Sequence, residues 1–331
     1  MKAIVTGGAG FIGSNLVDEL VKDGHDITVL DNLSTGQIKN LDNSKSKIKF
    51  INIDLANSSS ELQKIFKNTD WVFHLAGLAD IVPSIMEPKK YFNSNVLGTL
   101  NTLEASRKND IKSFVYAASA SCYGIPKKFP TSESSEINTQ YPYALTKYLG
   151  ENLVMHYGNV YKMPNTSLRF FNVYGPRSRT TGAYGAVFGV FLAQKLSNKP
   201  LTIVGDGKQT RDFIHVYDLV EAILKVAKKS PKNKIYNLGS SKEITVNQIA
   251  DLIGGEKIFI PKRPGEPDRS CADISKIKKD IGWEPKIDIE YGIKTLLDKI
   301  DDWKEAPVWT PEKIKIATKE WFNLLDKKNE E

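Results

Sequence analysis

A doubly wound parallel α/β sheet with a smaller, discontinuous α/β domain is the fold class this sequence predicts. Three observations carry it. Apolar β-type runs alternate with helical patterns through the first half of the chain, the rhythm of a parallel sheet covered on both faces. The first strand runs into a glycine-rich turn, TGGAGFIG, that opens a helix, as in a Rossmann-type domain. The length of 331 residues, 40% hydrophobic and 26% charged, is ordinary globular composition with enough chain for one large domain or two closely packed ones.

The elements follow in order. Residues 2–6 read as strand, 11–22 as helix, 26–30 and 48–53 as strands, 61–66 as helix and 71–75 as strand. A long helix over 89–107, a strand over 112–118, a helix over 143–161 and a strand over 165–171 complete the first half. From Asn172 the pattern loosens through the turn-rich NVYGPRSRTTGAYG, a short strand at 201–204 and the loop GDGKQTRD. A helix at 216–228 and a strand at 234–238 then read as a return to the sheet. Beyond them come 245–253, a strand at 257–260, the loop PKRPGEPDR, and helices near 274–281 and 290–303. A last helix is announced by Thr310 as N-cap, Pro311 at its first position and Glu312 in its first turn. The expected division is 1–172 plus about 213–240 for the larger domain, and about 173–212 plus 241–331 for the smaller.

Composition excludes some classes. The longest apolar stretches fall short of the roughly 18–20 residues that span a bilayer, and the chain enters its first strand without a signal-like segment, so a soluble, cytoplasmic protein is expected. Cys122 and Cys271 are far apart and read as reduced thiols. The net charge of +7 comes from a lysine-rich set, 39 of 46 basic residues, scattered among acids. That reads as a solvated surface rather than a nucleic-acid face. The four histidines and two cysteines show no metal-ligand spacing, so no metal is expected. His74 and His215 are read as packing residues. The tail DKKNEE is expected to fray.

Chemistry concentrates in a few places. Tyr143 and Lys147, in YPYALTKYLGE, are four apart on a helix and share one face. A nearby ammonium stabilises phenolate, so a depressed tyrosine pKa and acid–base work are expected. Gly7, Gly10 and Gly13 let a backbone approach a pyrophosphate at a helix N-terminus, although their GxxGxxG spacing departs from the GxGxxG fingerprint. Asp31, ending the second strand, can accept from an adenosine ribose and repel a 2′-phosphate, which favours NAD over NADP. Asp54 and Leu55 end the next strand, beside the expected adenine. Ser119, at the end of the strand before the Tyr143 helix, can hydrogen-bond the oxygen from which Tyr143 takes a proton; from the residues alone Ser121 can do the same.

These residues, with HLAG, SNVLGT, ASASCYG, RFFNVYGPR, GDGKQTRDFIHVYD, KRPGEP and ADISKIKKDIGWEP, make nearly the whole chain resemble the extended short-chain dehydrogenases/reductases. The resemblance is to their nucleotide-sugar epimerase and dehydratase group, and is closest to the UDP-glucose 4-epimerases. In that group the glycine spacing is the one seen here. The resemblance implies Ser119, Tyr143 and Lys147 as catalytic residues, with Lys147 also on the nicotinamide ribose. It implies NAD contacts at Phe11, Ile12, Asp31, Asn32, Leu33, Ser34, Thr35, Gly36, Asp54, Leu55, Leu75, Ala76, Gly77, Ala79, Ser94, Asn95 and Phe171. Asn172, Arg211, Arg263 and Glu266 match positions that hold UDP, the arginines on phosphate and the acid on ribose.

Two departures narrow the reading. Ala120 and Ser121 stand where dehydratases carry Asp and Glu, which disfavours dehydration. Ser270 stands where some epimerases carry a bulky tyrosine, leaving room for an N-acetyl group. Ala79 replaces a lysine of some relatives. The activity implied is redox-neutral epimerisation of a UDP-hexose at C4 through a 4-keto sugar, with tightly held NAD and a homodimer. The rivals are a net nucleotide-sugar oxidoreductase, another nucleotide-sugar epimerase and a non-catalytic dinucleotide sensor on the same fold.

Overall fold

The computed structural model describes residues 1–178 and 186–325. Part of the turn-rich stretch after Asn172 and the DKKNEE tail lie outside the described residues. The chain runs β1 (Lys2–Thr6), α1 (Phe11–Lys22), β2 (Asp26–Asp31), β3 (Ile48–Asn52), α2 (Ser59–Ile65), β4 (Trp71–His74), α3 (Ile81–Met86), α4 (Pro88–Phe92), α5 (Gly98–Arg107), β5 (Ser113–Ser119), α6 (Pro142–Tyr161) and β6 (Asn165–Phe170). It continues through β7 (Asn172–Tyr174), α7 (Val187–Leu196), β8 (Leu201–Val204), β9 (Thr210–Arg211), β10 (Phe213–His215), α8 (Val216–Lys229), β11 (Lys234–Leu238), β12 (Ile244–Thr245), α9 (Val246–Ile253) and β13 (Lys257–Ile260). Four helices follow, α10 (Ser275–Ile281), α11 (Ile289–Leu297), α12 (Pro311–Ala317) and α13 (Lys319–Leu325).

Seven strands form one parallel sheet in the order β3-β2-β1-β4-β5-β6-β11. The order reverses between β1 and β4, so the strand ends open a crevice there, the switch point of a Rossmann sheet. Strand β11 returns to the edge beside β6, as the sequence predicts. One sheet face buries Leu16, Leu20, Leu219, Ile223 and Trp283, and the other buries Leu62, Phe66, Leu103, Tyr116 and Val154. Each such side chain contributes about 1.5–3 kcal/mol, enough to fix the register of the strands beneath.

A separate apolar cluster joins Tyr174, Phe188, Phe191, Leu201, Phe213, Ile249, Ile293, Leu296 and Trp303. Helix α10, although late in sequence, instead places Ile277 and Ile281 in the sheet's cluster with Trp283. The indole of Trp283 donates to the Asp218 carbonyl, which ties this segment to α8.

Three expected elements differ. The helix over 89–107 is interrupted: a π-helical turn, Asn93–Leu97, separates α4 from α5. Within this turn the buried Asn95 amide reaches Leu78 and Thr146 behind the cleft wall, the usual neighbourhood of a π-bulge. The helix over 290–303 stops at Leu297, and a 3₁₀ turn, Ile300–Trp303, buries the Trp303 indole. The last helix starts where expected, with Thr310 accepting from the Lys313 amide, but breaks at Thr318 into α12 and α13.

Candidate active site

Above the switch point lies one cleft of about 660 Å³. At its closed end β1 turns into α1. The Gly7 backbone has φ +68°, and a Cβ there would stand 2.7 Å from the Ala76 nitrogen. A Cβ on Gly13 would collide with the Gly7 carbonyl, so only glycine lets the turn close this tightly. Gly10 caps α1 without a side-chain acceptor, which leaves the first amides of the helix for an anion. The site therefore fits a dinucleotide pyrophosphate on its own geometry.

Asp31 is buried, and its carboxylate accepts from the Ala9 and Leu33 amides at 3.0 and 2.8 Å. Burial pushes its pKa up and those amides oppose the rise. Each oxygen keeps acceptor capacity for a ribose hydroxyl. Leu33 and Gly36 shape this wall and do not line the cleft: Leu33 packs on the sheet's core, and a Cβ on Gly36 would lie 3.0 Å from both Asp31 oxygens.

Asn95 is a third residue behind the wall. Its amide accepts from the Leu78 nitrogen at 2.8 Å and donates to the Leu78 carbonyl at 3.1 Å and the Thr146 hydroxyl at 3.0 Å. One side chain thus clamps the loop after β4 to α6, one residue before Lys147. The other predicted residues line the cleft: Gly7, Gly10, Phe11, Ile12, Gly13, Asp31, Asn32, Ser34, Thr35, Asp54, Leu55, Leu75, Ala76, Gly77, Ala79, Ser94, Ser119, Tyr143, Lys147, Phe171, Asn172, Arg211, Arg263, Glu266 and Ser270.

The two serines of the ASASCYG run have different places. Ser119 ends β5 on the Tyr143 side of the cleft, where its hydroxyl works to lower the phenol's pKa, and accepts from the Ser121 amide at 3.2 Å and the Ser121 hydroxyl at 2.8 Å. Ser121 lines the cleft as well and donates to Ser119. His74 is fully buried between the Thr6 and Thr99 hydroxyls at 2.7 and 2.9 Å, and burial drops its pKa to about 3. His215 caps α8 by accepting from the Tyr217 amide. Both have packing and capping partners, as expected.

The expected lowering of the tyrosine pKa is corrected by the structure. Burial raises Tyr143 above the ordinary phenol value, and the neighbouring Ser119 hydroxyl only partly offsets it. Lys147 points elsewhere: its ammonium sits 4.7 Å over the Tyr116 ring and 3.7 Å from where a Cβ on Gly77 would be. Burial lowers the Lys147 pKa to about 8, opposed by Glu151 one turn along.

At the open end, Arg211 donates to the Thr210 and Pro267 carbonyls at 2.8 and 2.9 Å. Glu266 bridges the two arginines, 3.4 Å from Arg211 and 3.1 Å from Arg263. Two cations and one acid thus sit partly buried in a cleft wall, an arrangement suited to a diphosphate. Sequence reasoning missed Tyr141, Gln209 and Trp309, which also line the cleft. Tyr141 had a local signal: it is extended, two residues before Tyr143, so both rings point the same way and stack at 6.5 Å and 6°. Gln209 and Trp309 come from remote turns without one.

A glycine turn at a Rossmann switch point, with Tyr143, Lys147 and a pair of arginines lining the same cleft, is the arrangement of a dinucleotide-dependent enzyme of the extended short-chain dehydrogenase/reductase class. The chain belongs to the NAD-dependent epimerase/dehydratase family, whose model matches residues 3–239, and its cofactor is NAD. It is 34% identical over 303 residues to the UDP-glucose 4-epimerase of Mycolicibacterium smegmatis, covering 88% of this chain and 96% of that one. The UDP-glucose 4-epimerase of Thermotoga maritima with UDP-glucose is 34% identical, with a TM-score of 0.86 over 91% of this chain and 99% of that one. The UDP-glucuronic acid 4-epimerase of Bacillus cereus, solved with UDP-glucuronic acid and NAD, is 31% identical with a TM-score of 0.84, over 91% and 99%. Among the described residues no helix is long and apolar enough to cross a membrane.

Proposed function

We propose that this protein interconverts UDP-hexoses at C4, UDP-glucose with UDP-galactose, and has room for UDP-N-acetylglucosamine and UDP-N-acetylgalactosamine. The observation that carries the reading is Ser119, Tyr143 and Lys147 lining one cleft with Arg211 and Arg263. No acid stands beside Ser119, where Ala120 and Ser121 follow, so proton transfer falls to Tyr143 alone. NAD held on the glycine turn at 7–13 and Asp31 would supply the reversible hydride chemistry at C4.

The chain's own residues do the rest. The Tyr143 oxygen takes the 4-hydroxyl proton and later gives it back. Ser119 hydrogen-bonds the same oxygen and favours the charged phenol. Lys147, held over Tyr116 on the Gly77 side, serves the nicotinamide ribose. The two arginines hold the diphosphate while the sugar swings about its linkage, and Asn172 and Glu266 serve the nucleoside. We assign residues 1–172 with about 213–240 to the dinucleotide, and about 173–212 with 241–331 to the nucleotide-sugar, except that α10 and Trp283 pack back on the dinucleotide sheet. A homodimer through the α5 and α6 faces, in the cytoplasm, completes the reading; a monomer mass by light scattering removes the dimer.

Incubation with UDP-glucose or UDP-N-acetylglucosamine, without added cofactor, tests the reading. The expected product is the galacto epimer without net NADH. Accumulating NADH would indicate a net oxidoreductase instead, and no change with NAD supplied would overturn the 4-epimerase assignment. Ser270→Tyr is expected to lower kcat/KM for the N-acetylated sugar roughly 10- to 100-fold relative to the hexose. An unchanged ratio of the two would show that Ser270 does not face the sugar.

A further inference from the structure

Helix α13 is too short to be stable alone, and its outward residue Leu324 is 65% exposed. Yet Trp321, on its inner side, is only 1% exposed. The indole makes two contacts of different kinds. Its N–H donates to the Pro264 carbonyl at 2.9 Å, and its ring lies against Tyr141 with centroids 5.4 Å apart at 49°. Leu325 lies beside the same loop, its Cδ1 3.8 Å from where a Cβ on Gly265 would stand.

Those partners belong to the two working ends of the cleft. Pro264 and Gly265 separate Arg263 from Glu266, the ion pair expected to open when a diphosphate enters. Tyr141 stacks in parallel on Tyr143. Burial raises the Tyr141 pKa, Glu266 raises it further, and Arg211 and Arg263 oppose, so its hydroxyl feels all three groups. The same indole therefore touches the loop that would hold the nucleotide and the aromatic neighbour of the acid–base tyrosine. Packing of α13 against α3 closes the clasp from the other side.

We propose that Trp321 is a positioning residue and α13 a clasp, through which nucleotide binding at Arg263 and Glu266 sets the orientation of Tyr143. The proposal rests on the UDP-sugar reading for the identity of the ligand. It separates two contributions of one side chain: the N–H serves the loop, and the ring serves the tyrosine pair.

The full-length protein with Trp321→Phe and Trp321→Ala tests this, with UDP as the binding probe. Trp321→Phe keeps a ring and loses one donor, and is expected to weaken UDP several-fold by calorimetry with kcat within twofold. Trp321→Ala is expected to raise KM similarly and to lower kcat about tenfold. Hydrogen exchange gives the readout that packing alone would not move. In the parent protein UDP is expected to protect 261–268 and 319–325 together, and in Trp321→Ala to protect only the first. Variants with parental Kd, KM and kcat and only a lower Tm would overturn the clasp. If the parent converts no UDP-sugar yet UDP still protects both segments, the clasp stands and the epimerase reading fails. If the parent is active and Trp321→Ala matches it, the clasp fails alone.

Discussion

Tyr143→Phe is expected to lower kcat by about 10³-fold, within the range of general acid–base catalysis, while NAD and UDP stay bound. The phenol lines the cleft beside Ser119, and neither Ala120 nor Ser121 carries a group that can replace it. Burial raises its pKa in the cofactor-free protein, and Ser119 works against that rise. Ser119→Ala is therefore expected to raise the Tyr143 pKa further, which moves the rising limb of the pH–rate profile to higher pH. Quenched-flow turnover with UDP-glucose, alongside equilibrium dialysis of UDP, makes the measurement. A Tyr143→Phe enzyme within tenfold of the parent removes Tyr143 from the acid–base role.

The second large effect lies under the site. Arg169 and Glu151 are 4% and 2% exposed, with Nη2 and Oε1 2.6 Å apart. Arg169 also donates to the Tyr123 hydroxyl at 2.8 Å and the Glu133 carbonyl at 3.1 Å, and Ser167 donates to Glu151 at 2.8 Å. Burial alone lowers the Arg169 pKa, but the Glu151 hydrogen bonds and charge hold it above the ordinary value. Arg169→Leu leaves the carboxylate buried without its cation, at a cost of about 3–5 kcal/mol.

The pH dependence follows with a definite sign. Unpaired Glu151 in the folded variant has a raised pKa, so the unfolded state releases its proton first as pH rises. The deficit is therefore small near the unfolded value of about 4.3 and grows from there to the folded pKa. Urea denaturation at pH 5 and pH 8 measures both. A double replacement by apolar residues of similar volume recovers much of the loss, and a pH-independent deficit would show that the charge is not its cause.

The order of strands through β6, the glycine turn and the Tyr143–Lys147 helix were legible because each is written in local pattern: period, turn chemistry and spacing. Helix α7 was not. Its sequence VFGVFLAQKL is apolar nearly all round and buries Phe188, Val190, Phe191 and Leu192, so no face stands out for a period to reveal. Helix α3 was hidden by Pro83, which its first turn tolerates because the missing N–H would be unpaired there. The break at Asn93–Leu97 escaped notice because what causes it, the reach of Asn95 to Leu78 and Thr146, spans distant parts of the chain.

The sequence by itself determined a Rossmann sheet, a dinucleotide turn, and the residue types for proton transfer and anion binding, since these depend on neighbours within a few positions. Tertiary structure alone decided that Ser121 donates to Ser119, and that Lys147 sits over Tyr116 and leaves the phenol's pKa raised by burial. It also decided that Glu266 bridges both arginines and that Trp321 closes on Tyr141. Burial and side-chain direction are properties of the packed whole, and a charge or hydrogen bond acts on the pKa of whatever lies near it in space.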